Sequence, residues 1–150
     1  MGNAYLLQKR TNNGSVMGQN SAVTYAQAIQ AQLTSVCTPT PVYAVFNRNF
    51  ATEPTFVVWQ LRDVHQPVYT GPQSVKGIDT PVFQASVFAQ QMSNCFSKAQ
   101  QIVDALHGYQ GTFGALFFVA KVDVDWLFHT YDNDNKLHQI VLDCTLDIPS

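Results

Sequence analysis

Hydrophobic residues recur along the chain with two different periods, and these periods predict where helices and strands lie. Residues 21–36 and 93–108 carry apolar positions at helical spacing. Ser21 and Ser93 are suited to capping the two helix starts, and Gly108 to ending the second helix. The predicted buried positions are Val23, Ala26, Ile29 and Leu33 in the first helix, and Phe96, Ala99, Ile102, Val103 and Leu106 in the second.

Alternating or continuous apolar runs predict strands in the rest of the chain. These runs are residues 42–50 and 55–64, joined by a turn at 49–54, and then 80–90, 115–129 and 138–148. In 115–129, every even-numbered residue from Leu116 to Phe128 is apolar. The pattern predicts an α+β fold, with a mainly antiparallel sheet of about five strands and two helices packed on one face. We expect residues 1–20 to form an N-terminal arm and residues 21–150 to form a single domain.

The last two strands enclose the polar run YDNDNK, which is typical of a hairpin turn. Asn and Asp tolerate the left-handed backbone of such turns. If the even-numbered residues of both strands face one core, directly opposed residues have the same parity and the loop holds three or five residues. That register places His129 and His138 on opposite faces of the sheet, where they cannot share a metal ion.

Composition and charge narrow the range of functions. The chain has 150 residues, a net charge of −2 and only 12% charged residues, so no basic patch for nucleic acid is expected. The three cysteines show no CxxC spacing, which predicts free, mostly buried thiols and neither a zinc site nor a disulfide framework. No apolar run is long enough to span a membrane.

Few residues indicate catalysis, and no cofactor is expected. The run GYQGTFG follows a helix and precedes a strand, the reverse of the order in a phosphate-binding loop. A small thiol enzyme or ligand-binding domain, with Cys95, Asp104 and His107 near one end of a helix, remains as an alternative.

Several segments together resemble the tail-completion, or tail-terminator, proteins of long-tailed bacteriophages. They are VVWQL after a Pro-containing turn, the helix ending at Leu106, Gly108 and Gly111, and the acidic strand and YD turn of VDVDWLFHTYDNDNKLHQIVLDCTLDI. The resemblance covers roughly residues 21–148 and rests on the order and spacing of these segments. The N-terminal arm departs from the short N-terminus of the family.

The resemblance implies a non-enzymatic structural protein of the virion tail or neck, assembled in the cytoplasm of the bacterial host. Such proteins form a homohexameric ring that caps the tail-tube protein, stops its polymerisation and joins the tail to the head-tail connector protein. DNA passes through the ring without specific binding, and no membrane is involved. Another head-tail joining or tail-tube protein of the same particle is the alternative within this class.

Three groups of residues are candidates for these contacts. The outer face of the sheet mixes charge with apolar residues, which suggests a neighbouring subunit. The candidate subunit interface is Phe117, Val119, Leu127 and Val141. The candidate partner-contact loop, within residues 66–80, contains Gln66, Tyr69, Gln73 and Lys76. The candidate acidic lining of the ring is Asp123, Asp125, Asp143 and Asp147.

Overall fold

A computed structural model describes residues 22–47, 50–65 and 78–149 of the chain. These residues form two helices and seven strands. Gln91, rather than the predicted Ser93, directly precedes the second helix. In chain order the elements are α1 (Ala22–Cys37), β1 (Val42–Ala44), β2 (Thr55–His65), β3 (Ile78–Ala89), α2 (Met92–Leu106), β4 (Gly111–Phe113), β5 (Phe117–Val119), β6 (Lys121–Asp132) and β7 (Leu137–Pro149).

Five of the strands form one sheet in the order β1-β2-β3-β7-β6, and both helices pack on one of its faces. All neighbouring pairs are antiparallel except β1 and β2, which run parallel. The predicted α+β fold is therefore confirmed. The predicted turn at 49–54 is wrong in kind, because a parallel pair needs a connection that returns to the starting end of the sheet.

The core lies between the helices and the inner face of the sheet. The inner face supplies alternate residues of β2, β3 and β7, and the helices supply one stripe each. The fully buried helix residues are Tyr25, Ala28, Ile29, Leu33 and Cys37 in α1, and Cys95, Ala99, Ile102 and Leu106 in α2. Val23, predicted to be buried, is exposed. The buried stripe of α1 therefore lies part of a turn around the helix from the predicted one.

Polar groups connect the two layers at specific points. The indole nitrogen of Trp59 in β2 donates to Oε1 of Gln30 in α1 at 2.6 Å, and Nε2 of Gln30 donates to the carbonyl of Val42 at 3.1 Å. At the end of α2, Nδ1 of His107 accepts a hydrogen bond from the backbone N–H of Val124 at 3.0 Å. These bonds satisfy groups that the packing of helix on sheet would otherwise leave unpaired.

The long strand predicted over residues 115–129 is two strands in the structure. The strand is interrupted at Ala120, between β5 and β6. β5 pairs with β4 in a separate two-stranded sheet before β6 begins. This break reverses the facing of the side chains. Phe117 and Val119 are buried, whereas Leu116 and Phe118, predicted to be in the core, are exposed.

A bulge at Leu127 changes the register of the β6–β7 hairpin. From Lys121 to Trp126 the pairing joins residues of equal parity, as in Trp126 with Leu142, in agreement with the predicted register. Beyond the bulge the parity changes, Phe128 pairs with Val141, and residues 133–136 form a turn of four residues. The predicted odd-numbered loop is therefore wrong, because one extra residue in β6 shifts every later side chain to the other face.

Candidate functional site

The candidate functional site is the outer face of the sheet, which points away from both helices. Its residues alternate with the core residues along β2, β3, β7 and β6. One end of this face is acidic and the other, next to the β6–β7 turn, is apolar. The two ends offer different chemistry on one surface.

The acidic end contains all four aspartates predicted for the ring lining. Asp125 stands directly opposite Asp143, while Asp123 faces Thr145 and Asp147 faces Lys121. All four side chains lie on the same face of the sheet, as the sequence pattern predicted. They do so because the β6–β7 register follows the prediction from Lys121 to Trp126. Directly opposed like charges destabilise a strand pair, so the Asp125–Asp143 pair needs compensation from nearby groups.

Two cations supply part of that compensation. Arg62 of β2 forms an ion pair with Asp143, and this hydrogen bond raises the pKa of the exposed Arg62 guanidinium. Lys121 lies 3.4 Å from Asp123. The sequence pointed only to Lys121. It missed Arg62 because that residue is far away in the chain and reaches the acidic end only when β2, β3 and β7 lie side by side.

The apolar end is an open pocket of about 200 Å³ on the same face. Phe56 and Phe88 stack across β2 and β3 with ring centres 5.0 Å apart. The pocket is lined by these two rings and by Val45, Phe46, Asn47, Phe50, Val58, Asp132, Asn135 and Leu137. Phe46 is 62% exposed at its rim. An exposed apolar patch with a polar rim is typical of a contact surface.

The backbone at the rim of this pocket is strained. Val45 has a φ of 67°, and the N–H of Phe46 donates to the carbonyl of Ala44 at 2.7 Å, which closes a γ-turn around Val45. A β-branched residue rarely adopts positive φ. The sequence missed these rim residues because VYAVF is typical of a strand. The Asn-Arg-Asn that follows was the available signal that the strand ends early.

The four residues predicted for the subunit interface do not form one surface. Leu127 is 47% exposed in the bulge, and Val141 faces outwards but is buried between its neighbours. Phe117 and Val119 lie in the core instead, where the rings of Phe117 and Tyr25 form a T-shaped pair with centres 5.5 Å apart. That part of the prediction is wrong about location, because the break at Ala120 turns these two side chains into the core.

The structure describes only the last three residues of the predicted partner-contact loop, 78–80, which begin β3. Gln66, Tyr69, Gln73 and Lys76 lie outside the described residues. Its role in binding a partner stays a prediction.

The histidines of the hairpin are neighbours, contrary to the prediction from the sequence. Nε2 of His129 lies 3.1 Å from Nδ1 of His138. The bulge at Leu127 turns His129 to the helix side of the sheet, where His138 already lies by its alternation with Ile140. There Phe96 of α2 contacts His129 with ring centres 4.9 Å apart. The opposite-face assignment assumed an unbroken register and fails for that reason.

The geometry disfavours the thiol-enzyme alternative. Cys95 lies in the first turn of α2 and His107 just past its last turn, so about 18 Å of helix separates them. All three cysteines are free and buried, as predicted, and burial raises the pKa of Cys37 and of Cys95 to about 11. A thiol protonated at neutral pH is a poor nucleophile.

Within the described residues, no group of three or more His, Cys, Asp or Glu side chains is placed to hold a metal ion. None of the helices that the structure describes is long and apolar enough to cross a membrane.

Solved structures include chains whose fold resembles that of this chain. A chain from the virion of a native gene transfer agent particle superposes with a TM-score of 0.53 and 15% sequence identity, covering 85% of this chain and 92% of that chain. A chain of the sheath/tube terminator of an extracellular contractile injection system, in its extended state, superposes with a TM-score of 0.49 and 11% identity. That match covers 89% of this chain and 57% of the other. No family model and no curated protein matches the sequence.

Proposed function

We propose that this chain is a structural tail-terminator protein of a phage-like particle. In this role it forms a homohexameric ring that caps the tail tube, stops its polymerisation and joins the tail to the head connector. The observation that carries the proposal is the fold it shares, over most of both chains, with a component of a gene transfer agent virion. The order of segments in the sequence, which resembles the tail-terminator family, supports the same conclusion independently.

The outer face offers two surfaces that suit the assembly of such a ring. Its apolar end, together with Leu127 in the bulge, is suited to contact with a neighbouring subunit, and the exposed Phe46 gives that contact an anchor. Its acidic end is suited to line the opening. Phosphates bind Lys and Arg through counterion release, so a wall of carboxylates lets DNA pass without being retained. Cyclic symmetry repeats each carboxylate around the ring and strengthens its potential.

Particle assembly provides the first test of the terminator role. Particles that lack this protein should have tails of irregular, excessive length, or tails that do not join heads. Electron microscopy of negatively stained lysates measures the tail lengths and the fraction of tails joined to heads. Normal, head-joined tails in its absence would exclude the terminator role. Purified protein that grows into open filaments would instead indicate a tail-tube protein, and a chain that stays monomeric even with assembled tails would refute the ring.

Charge reversal tests the acidic lining of the opening. The double variant Asp123→Lys/Asp125→Lys should assemble normally but release DNA more slowly, and more so at low salt, because salt screens electrostatic drag. The matched control, Asp104→Lys/Asp134→Lys, makes the same change in net charge on α2 and in the β6–β7 turn, and should release DNA at the normal rate. Normal release by the first variant at low salt would refute the lining. Failure of that variant alone to assemble would place these carboxylates in the subunit interface.

A further inference from the structure

The paired histidines near the β6–β7 turn bring two ring nitrogens close enough together to bind one metal ion. Nε2 of His129 and Nδ1 of His138 are 3.1 Å apart, the ring planes differ by 10°, and the ring centres are 5.3 Å apart. The nitrogens are thus much closer together than the rings, which meet edge to edge. In the metal-free chain one nitrogen donates a hydrogen bond to the other, the direction depending on the tautomers.

This nitrogen spacing matches the bite of a chelated metal ion. Imidazole nitrogens bind Zn²⁺ at about 2.0–2.1 Å. Two ligands at that distance are about 2.9 Å apart when they subtend a right angle at the ion, and about 3.4 Å apart at the tetrahedral angle. The observed separation of 3.1 Å lies between these limits. Because the two nitrogens point at each other across the hydrogen bond, both rings must rotate away from the N–N line to direct their lone pairs at one ion.

We propose that His129 and His138 form a two-histidine surface site for a divalent transition-metal ion that prefers imidazole, the class of Zn²⁺, Ni²⁺ and Cu²⁺. The ion replaces the hydrogen bond between the rings, and each neutral imidazole supplies one lone pair. Because no third His, Cys, Asp or Glu joins the pair within the described residues, water fills the remaining positions. The site is therefore open to solvent and weaker than a closed four-ligand zinc site.

An aromatic ring packs against each of the two ligands. Phe96 contacts the ring of His129 at 4.9 Å, and Tyr131 contacts the ring of His138 at 4.7 Å, each tilted by about 55°. His129 comes from β6 and His138 from β7, so a bound ion would link the two strands beside their turn. Such an ion would stabilise the paired hairpin, and above the dissociation constant the stabilisation grows with the logarithm of the ion concentration. This inference does not depend on the proposed ring.

Calorimetric titration of tag-free, chelator-treated protein with ZnCl₂ tests the site. The wild type should bind one Zn²⁺ per chain, and MgCl₂, which prefers oxygen ligands, should give no heat of binding. His129→Gln and His138→Gln should each weaken Zn²⁺ binding by at least about 10-fold, the lower end of what loss of an outer-shell partner alone costs. The double variant should be about as weak as either single one, because one ligand cannot chelate.

His107→Gln is the matched control, since it removes an imidazole that accepts a hydrogen bond from β6 elsewhere in the fold. It should leave the Zn²⁺ affinity unchanged. Wild-type protein that binds Zn²⁺ no more tightly than the double variant would overturn the proposal. Nitrogen NMR of the wild-type imidazoles provides a measurement that needs no variant. Zn²⁺ should shift the signals of His129 and His138 together, and a shift of only one ring would also overturn the proposal.

Discussion

Truncation of two residues that the sequence placed in the same core should have very different effects on stability. Leu142 in β7 is fully buried, whereas Phe128 in β6 is 50% exposed because the bulge turns it outwards. Leu→Ala in a packed core typically costs about 2–5 kcal/mol, so we expect Leu142→Ala to lower the free energy of unfolding by about 3 kcal/mol. A half-exposed Phe gains about half of the 1.5–3 kcal/mol of full burial, so Phe128→Ala should cost about 1 kcal/mol.

Urea denaturation and thermal melting measure this difference. In a domain of this size, 1 kcal/mol shifts the melting temperature by about 2–4 °C, so the two variants should differ by at least about 4 °C. Repeating the melts at two protein concentrations separates any contribution of Phe128 to a subunit contact, because that contribution depends on concentration. Equal losses for both variants at low concentration would refute the bulged register. Leu142→Asp, which buries a carboxylate without a partner, should abolish the cooperative transition.

Gly114 and Gly108 both have positive φ but differ in the space around them. A Cβ at Gly114, where φ is +58°, would lie 2.5 Å from the backbone of α1, so Gly114→Ala should lower the free energy of unfolding by several kcal/mol in chemical denaturation. Gly108 lies in open space at φ +77°, so Gly108→Ala should cost only about 1 kcal/mol, and equal losses would contradict the close approach at Gly114. Hydrogen bonds from Asn135 lower the pKa of Asp132, so the carboxylate favours folding at pH above its ordinary 3.8 and loses this contribution as the pH falls through the lowered value. In NMR titrations, Asn135→Ala should raise that pKa and Asn133→Ala should leave it unchanged, and a pKa unaffected by both would refute the assignment. All three thiols should react with a disulfide reagent only slowly in the native protein and rapidly in denaturant; fast native reaction would contradict their burial.

In the final hairpin the sequence pattern and the structure agree as far as Trp126 and differ beyond it. Alternation of apolar and polar residues predicted both strands, and up to Trp126 it also predicted their register and the common face of the four aspartates. The turn was identified from its residue types alone. Two hydrogen bonds to the Asp132 carboxylate stabilise it. The backbone N–H of Asp134 donates at 3.0 Å and the side-chain amide of Asn135 at 2.8 Å.

Sequence periodicity determined the helices, most of the strands and the existence of one apolar core, because each element must bury one face whatever its partners are. Only the tertiary structure decided where the alternation is interrupted. The bulge at Leu127 and the break at Ala120 each depend on which strand lies alongside, and the pattern of a single strand does not contain that information. Those two interruptions bring His129 to His138, turn Phe128 outwards and bury Phe117. They therefore set which side chains the surface presents.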